Sequence, residues 1–344
     1  MASCAPPEPL AGRAAPFRHR ALRCLCVSIL ALACGREDDA TAYDHSVEAL
    51  ATRIEGSPPN AALARLVDER VAQMRQDPAS ASDRIRAALE RLGLVPLRVP
   101  GLFYRTHSWT GADLARSEVW LGRPVTLVET GEVDTVERNA AIVRSAVREN
   151  ARDGRRILLV SASKGSADVY EALVGDPKLG PSVALWIDLV GLVEGTPLTD
   201  PRRGDAETAA AGLPADTALS MSHQVRGRAT ASAFPPDVRA VHIAGFPTSV
   251  AISKEALAGF ERLRPLGPND GYLMLDSFLR VPGRVMVIPA TDHYLRSPNL
   301  EPRLVALVSV LLDELAANAP HGLGQEGTSP VPETSAPTRQ PEGP

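Results

Sequence analysis

The sequence is poor in aromatic residues and cysteines: 4% of its 344 residues are Phe, Trp or Tyr, and there are four cysteines. Metal-ligand patterns of the His-x-x-x-His or Cys-x-x-Cys type are absent, so nothing in the spacing predicts a metal site. The formal net charge is −4, and no run of Lys and Arg follows the first two dozen residues. We therefore do not expect the protein to bind nucleic acid.

The overall composition is that of a globular protein. With 44% hydrophobic and 23% charged residues, the chain can form one domain of roughly 250 residues plus appendages. We find no internal repeat.

The N-terminus has the pattern of an export signal. Four arginines precede an uncharged stretch at 24–33 that is too short to span a membrane permanently. The segment Leu30-Ala31-Leu32-Ala33-Cys34-Gly35 resembles a bacterial lipobox, although Ala31 replaces the usual Leu. We therefore expect a signal peptide at 1–33, lipidation of Cys34, and a lipoprotein anchored to a membrane of the bacterial envelope. The alternatives are an ordinary signal, which would give a secreted or periplasmic protein, and a buried N-terminal helix.

The positions of the cysteines agree with the predicted signal peptide and lipidation site. Cys4, Cys24 and Cys26 would leave with the signal, so Cys34 would be the one cysteine of the mature chain. No disulfide could then form within one chain, which a domain with a full core tolerates.

The segment 34–93 is predicted as a polar tether followed by helices. Apolar residues have helical spacing from about Asp44 to Leu92, with breaks at 57–59 and at Pro78. His45 lies here with no matching partner nearby, so we interpret it as a surface residue.

The segment 94–316 alternates apolar strands with helices, which indicates a parallel sheet covered on both faces. The first predicted strand lies in 94–101 and runs into a turn. Further strands are predicted near 124–129, 157–160, 183–190, 238–244 and 284–289, and helices near 139–150, 166–174 and 302–316. Residues 199–236 could form a small cap that shapes access. The tail, 317–344, is rich in Pro, Gly, Ser, Thr and Glu, so we expect it to be disordered.

Ser163 lies where a predicted strand turns into a predicted helix. Its neighbours Ser161 and Gly165 are small, which suits a sharp turn that lifts a serine side chain above the sheet edge. The first N–H groups of the new helix could stabilise a negatively charged oxygen. A plain strand-to-helix loop would also fit this pattern.

His293 is the candidate base for Ser163. It follows the apolar strand 285–289, at the edge where open parallel sheets keep their active sites, and imidazole can accept a serine proton near neutral pH. The alternative is that His293 caps the last helix. His242 falls inside an apolar strand and is interpreted as structural; His107 and His223 fall in loops, and His321 in the tail.

Asp270 is the candidate acid that would orient the histidine. It lies in the loop Gly267-Pro268-Asn269-Asp270-Gly271-Tyr272, between two predicted strands and before His293. Asn-Asp-Gly is also a good turn sequence for its own sake. Asp276 remains possible, and Asp292 would have to curl back towards the adjacent His293.

Together these motifs resemble the α/β-hydrolase superfamily, particularly its lipases and esterases. Ser161-x-Ser163-x-Gly165 resembles the nucleophile elbow, Asn269-Asp270-Gly271-Tyr272 the acid loop, and Asp292-His293 the Asp-His pair. The resemblance covers roughly 94–315. It implies an α/β-hydrolase fold with a mostly parallel central sheet and helices on both faces.

The resemblance also implies the chemistry. Acyl transfer to Ser163 would use His293 and Asp270, with the backbone N–H groups of Leu102 and Lys164 as the oxyanion hole, and no metal or organic cofactor. The segment 189–198 resembles the one in which lipases open their acyl pocket, and Phe103, Tyr104, Trp109, Leu114 and Trp120 could line a pocket. The Lys164 side chain could add positive charge at this site, but we interpret it as a solvated surface side chain.

We therefore expect an esterase- or lipase-like hydrolase whose substrate is a small-molecule or lipid acyl ester. The alternatives are a hydrolase of the same fold acting on an amide, thioester or polyester, and a catalytically silent surface lipoprotein.

Overall fold

The computed structural model describes residues 39–77, 80–107, 117–201, 212–229, 234–298 and 300–318. The predicted signal peptide, Cys34, Trp109, Leu114 and His321 lie outside the described residues, as do nearly all of the predicted tail and parts of the predicted cap.

Six strands of the described chain form one sheet in which every neighbouring pair is parallel. The strands are β1 (Leu94–Val99), β2 (Thr126–Leu127), β3 (Arg156–Ala162), β4 (Val183–Leu189), β5 (Arg239–Phe246) and β6 (Arg284–Pro289). Their order across the sheet is β2-β1-β3-β4-β5-β6. The predicted parallel sheet is confirmed, and the carboxyl ends of all its strands meet at one edge.

Burial explains why the strand sequences are apolar without alternation. Every residue of β4 is buried, as are all but the first residue of β5, because helices cover both faces of the sheet. The edge strand β2 is shorter than the predicted 124–129.

The helices are α1 (39–55), α2 (Pro58–Gln76), α3 (Ser80–Arg91), α4 (Ser117–Leu121), α5 (Val136–Asn150), α6 (Lys164–Gly175), α7 (Ala215–Ser220), α8 (His223–Ala229), α9 (Leu257–Leu263) and α10 (Leu300–Ala317). One apolar core joins the sheet to α2, α3 and α10, and a second joins the opposite face to α5 and α6. The break between α1 and α2 falls at the predicted Ser57-Pro58-Pro59. Among the described helices, none has the length and apolar character needed to cross a membrane.

Candidate active site

Ser163 occupies the sharp turn between β3 and α6. Its φ of 52° and ψ of −126° lie in a region that non-glycine residues rarely adopt. The last residue of β4 and the segment that follows it hold the turn from both sides. The Ser163 N–H donates to the Leu189 carbonyl (3.0 Å), and the Leu192 N–H donates to the Ser163 carbonyl (3.0 Å). The strained conformation is therefore fixed by backbone hydrogen bonds, and the serine stands at the carboxyl edge of the sheet.

The loop after β1 packs directly against this turn through two glycines. A Cβ atom built on Gly165 would lie 2.4 Å from the Pro100 carbonyl oxygen, and one built on Gly101 would lie 3.1 Å from Cβ of Ser163. Glycine at position 165 thus permits the close approach of helix and loop. Gly101, which directly precedes Leu102, therefore lies against the serine turn. The N–H of Lys164 is the first of α6 and has no partner within that helix.

His293 and Asp270 meet Ser163 at this edge. The Nε2 atom of His293 lies 2.9 Å from Oγ of Ser163, and its Nδ1 atom lies 2.8 Å from Oδ2 of Asp270. His293 is 7% exposed and Asp270 is fully buried. With Asp270 as acceptor, Nδ1 carries the proton and Nε2 is free to accept one from the serine.

Backbone groups keep the Asp270 carboxylate in this orientation. Its Oδ1 atom accepts the N–H groups of Tyr272 (2.9 Å) and Leu273 (2.8 Å), while the His293 N–H donates to the Asp270 carbonyl (3.0 Å). The acid loop and the histidine loop are therefore joined through main chain as well as side chains.

The other acid candidates have different partners. The Asp292 carboxylate accepts the N–H groups of Ser253 (2.6 Å) and Tyr294 (2.9 Å), so it fixes the main chain around His293 rather than its ring. Asp276 forms an exposed ion pair with Arg280 at 3.1 Å.

The other described histidines lie away from this arrangement. His107 is exposed, and its ring contacts that of Phe103. The Nδ1 atom of His223 lies 3.1 Å from the Glu194 carbonyl oxygen. His45 is on the surface, as predicted, with a side chain that is 75% exposed.

His242 forms a buried pair with Asp188, its register partner on the neighbouring strand. Its Nδ1 atom lies 2.6 Å from Oδ2 of Asp188, and its Nε2 atom lies 2.7 Å from the Pro282 carbonyl oxygen. A carbonyl can only accept, so Nε2 carries a proton. The predicted structural role of His242 fits these contacts, and a lone aspartate and a lone histidine in two apolar strands were the sequence signal for the pair.

Ser161 takes part in the same hydrogen-bond network beneath the serine turn. Its hydroxyl accepts the indole N–H of Trp186 (2.7 Å) and lies 2.8 Å from the hydroxyl of Ser166, which donates to Asp188. Ser161 is therefore not only small enough for the turn but also links Trp186 and Ser166 through its hydroxyl. Ser166 contacts a carboxylate and not an imidazole, so this network lacks the arrangement of a nucleophile and its base.

The Lys164 side chain is buried, contrary to the prediction that it is solvated. It is 1% exposed, and its Nζ atom lies 2.8 and 3.0 Å from the two carboxylate oxygens of Asp168, one helical turn later. The amide of Asn139 donates to the same carboxylate at 3.1 Å. Burial raises the pKa of Asp168 to about 6, although both neighbours favour its charged form. The prediction was wrong because the first turn of α6 faces inward. The Lys-x-x-x-Asp spacing indicates that the two side chains can pair, but it does not indicate that the pair is buried.

Aromatic residues flank the histidine. The Tyr272 ring lies 4.7 Å from the His293 ring, and the Tyr272 hydroxyl lies 2.8 Å from that of Tyr294. Burial raises the pKa of both phenols. These side chains therefore present neutral surface beside the reacting atoms.

The described residues among those predicted to line a pocket, Phe103, Tyr104 and Trp120, have different surroundings. Phe103 and Tyr104 are half-buried, and the Tyr104 hydroxyl donates to the Thr130 carbonyl. Trp120 lines a cavity of about 520 Å³ together with Leu295 and Leu300. The segment 189–198 is almost entirely buried under the serine turn. In the described part of the chain, no group of three or more His, Cys, Asp or Glu residues could hold a metal ion.

This architecture is similar to that of solved structures of known proteins. No protein-family model and no curated protein matches the sequence. The metagenomic carboxyl esterase MGS0156 is similar in structure, with a TM-score of 0.52, 24% identity, and coverage of 66% of this chain and 76% of that one. The mature lipase BlEst2 of Bacillus licheniformis has a TM-score of 0.50 and 21% identity over 61% of this chain and 91% of its own. With its parallel sheet and the serine turn at the sheet edge, the chain has the α/β-hydrolase fold.

Proposed function

We propose that the protein is a serine hydrolase that cleaves carboxylic esters through an acyl-enzyme on Ser163. The observation that carries the proposal is the continuous chain of contacts from Oγ of Ser163 to Nε2 of His293 and from Nδ1 to Asp270, at 2.9 and 2.8 Å. Such a chain activates a hydroxyl that is otherwise a weak nucleophile.

The chemistry follows from these contacts. His293 takes the Ser163 proton as Oγ attacks the ester carbonyl, and the resulting oxyanion faces the N–H groups of Leu102 and Lys164. Each such donor is worth about 3 kcal/mol in the transition state. His293 then gives the proton to the leaving alcohol, and water, activated by the same ring, releases the acid and restores Ser163. Asp270 stabilises the imidazolium in both steps.

The choice of an acyl or lipid ester draws on the motif resemblance and on the names of the two neighbours, a carboxyl esterase and a lipase. Amides and thioesters would use the same residues. We therefore pair the mechanistic test with a substrate panel in which acyl esters of several chain lengths are compared with matched amides and thioesters.

The mechanistic test is intact-mass labelling with a fluorophosphonate probe. We expect one label on the wild type, none on Ser163→Ala, and greatly slowed labelling of His293→Ala and Asp270→Asn. His45→Ala is the matched control, because that side chain is exposed on α1, and it should label like the wild type. If the folded wild type takes no label, the proposed hydrolase activity is refuted, and a catalytically inactive binding protein is favoured.

We also propose that Cys34 carries a lipid that anchors the protein to a membrane of the bacterial envelope. The support is the lipobox-like sequence before Cys34 and the arginines that precede it. Detergent phase partitioning of the full chain and of Cys34→Ser tests this. Wild type should enter the detergent phase and the variant the aqueous phase; aqueous partitioning of both would contradict lipidation.

A further inference from the structure

We propose that helix α1 is part of the catalytic framework, with Tyr43 as the positioning residue for Asp270. This role rests on the proposed function, since it concerns the geometry of the same three residues. The helix belongs to the segment for which the sequence predicted only helices packed on the main domain.

The contact between α1 and the acid loop (267–274) is a reciprocal pair of hydrogen bonds. The Tyr43 hydroxyl donates to the Asn269 carbonyl at 3.0 Å and accepts the Asn269 N–H at 3.0 Å. Asn269 directly precedes Asp270, and both are fully buried. A single phenol thus satisfies both backbone groups of the buried residue before the acid.

The next residue of α1 holds a second loop of the site. The Asp44 carboxylate accepts the N–H (2.6 Å) and the hydroxyl (3.0 Å) of Ser249, which follows β5. Farther along this loop, Ser253 donates its N–H to Asp292, the neighbour of His293. Consecutive residues of α1 are therefore tied to the loop that carries the acid and to the loop that supports the histidine.

Tyr43→Phe tests the contribution of the hydroxyl separately from that of the aromatic ring and of the helix. The ring packs edge-on against Phe260 at 5.1 Å and under the Arg264 guanidinium at 5.8 Å, and phenylalanine keeps the ring in place. What the variant loses is the pair of hydrogen bonds to Asn269. Asp270 then depends on its own turn for its position relative to His293.

Loss of position should appear in the rate of reaction at Ser163. In Tyr43→Phe we expect fluorophosphonate labelling and kcat to fall at least about fivefold, because misplacements of about 1 Å can cost 10²-fold. KM should stay within about twofold, because the acid touches no substrate. The acidic limb of the kcat/KM profile should move to lower pH, since a displaced carboxylate stabilises the imidazolium less.

The matched control is Ile54→Ala, on the same helix. Ile54 lies about three helical turns after Tyr43 and is buried in the same core cluster, which includes residues of β5 and β6 and Leu273 of the acid loop. Its truncation weakens the packing of α1 but keeps the Tyr43 hydroxyl and its two hydrogen bonds to Asn269. We expect a lower Tm with unchanged kcat and pH profile at a temperature where the variant is folded. If Tyr43→Phe behaves in the same way, Tyr43 is only structural and the proposal is overturned.

A double variant tests whether Tyr43 acts through Asp270. If it does, Tyr43→Phe should slow labelling of the wild type but have no further effect in the Asp270→Asn background. Equal slowing in both backgrounds would refute the assigned route. A wild type that takes no label would overturn the proposed function and this role together, whereas normal wild-type labelling with an unaffected Tyr43→Phe would overturn this role alone.

Discussion

Replacing Gly165 by alanine tests how the serine turn and the oxyanion loop depend on each other. The added methyl would lie 2.4 Å from the Pro100 oxygen and 2.5 Å from the Val99 oxygen. Ordinary contacts between carbon and carbonyl oxygen begin at about 3.3 Å, so helix and loop must separate by about 1 Å. Gly101 and Leu102 directly follow Pro100, so this displacement moves the proposed oxyanion donor of Leu102 away from Ser163.

The expected magnitude follows from that displacement. Loss of one oxyanion donor costs about 10²–10³ in kcat, and forcing a methyl group into a packed site costs about 1–3 kcal/mol of stability. Gly165→Ala should therefore be folded at room temperature but hydrolyse esters about 100-fold more slowly, with KM nearly unchanged. Ester turnover and urea unfolding, measured on the same preparation, separate the two effects.

Gly175→Ala is the matched control, because Gly175 ends the same helix. A Cβ atom there would meet its nearest neighbour, Nη1 of Arg144, at 3.5 Å, which is ordinary contact. We expect its kcat within about twofold of wild type and no loss of stability, because alanine favours the helix. Wild-type turnover by Gly165→Ala, or an equal loss of turnover in Gly175→Ala, would contradict the proposed dependence of the oxyanion loop on Gly165.

Three further predictions concern buried polar groups. Lys164→Met leaves the buried Asp168 carboxylate without its cationic partner, so the free energy of unfolding measured with urea should fall by about 3–5 kcal/mol. The loss should be larger at pH 8 than at pH 5, where Asp168, with its pKa raised to about 6, is protonated in the folded protein; equal losses would contradict this. His242→Ala removes the imidazole partner of Asp188 and leaves Ser166 as its remaining donor, and it should also cost about 3–5 kcal/mol. A loss below about 1 kcal/mol would show that the pair is not tightly coupled. Burial raises the pKa of Tyr43 to about 12, so the folded protein keeps that proton from pH 10 to 12 and the wild type should lose stability relative to Tyr43→Phe as the pH rises through this window. Urea unfolding at both ends of the window measures the difference, and parallel behaviour of the two proteins would refute it.

The sheet and the residues Ser163, Asp270 and His293 can be predicted because each is marked by a short pattern in the sequence. Continuous apolar runs identify β3 to β6, and the small residues around Ser163 identify the turn whose φ of 52° the structure shows. The order of serine, aspartate and histidine between predicted strands then suffices to bring Asp270 and His293 to the same edge, since parallel strands end together there.

What the sequence does not reveal depends on contacts between distant segments. The burial of Lys164 depends on which face of α6 packs inward, and the role of Ser161 depends on Trp186 in the next strand. The Lys-x-x-x-Asp spacing is compatible equally with a solvated pair, so periodicity alone could not choose between the two.

Two of the three proposed catalytic residues, Ser163 and Asp270, are held largely by main-chain groups. Ser163 is fixed through the backbone of Leu189 and Leu192, and Asp270 through the N–H groups of Tyr272 and Leu273. Such contacts place few demands on the identity of the side chains that supply them. Tyr43 differs, because its hydroxyl alone supplies both bonds to Asn269. Conservative apolar substitutions at Leu189 or Leu192 should therefore leave the geometry of Ser163 intact, whereas loss of the Tyr43 hydroxyl on α1 should change the position of Asp270.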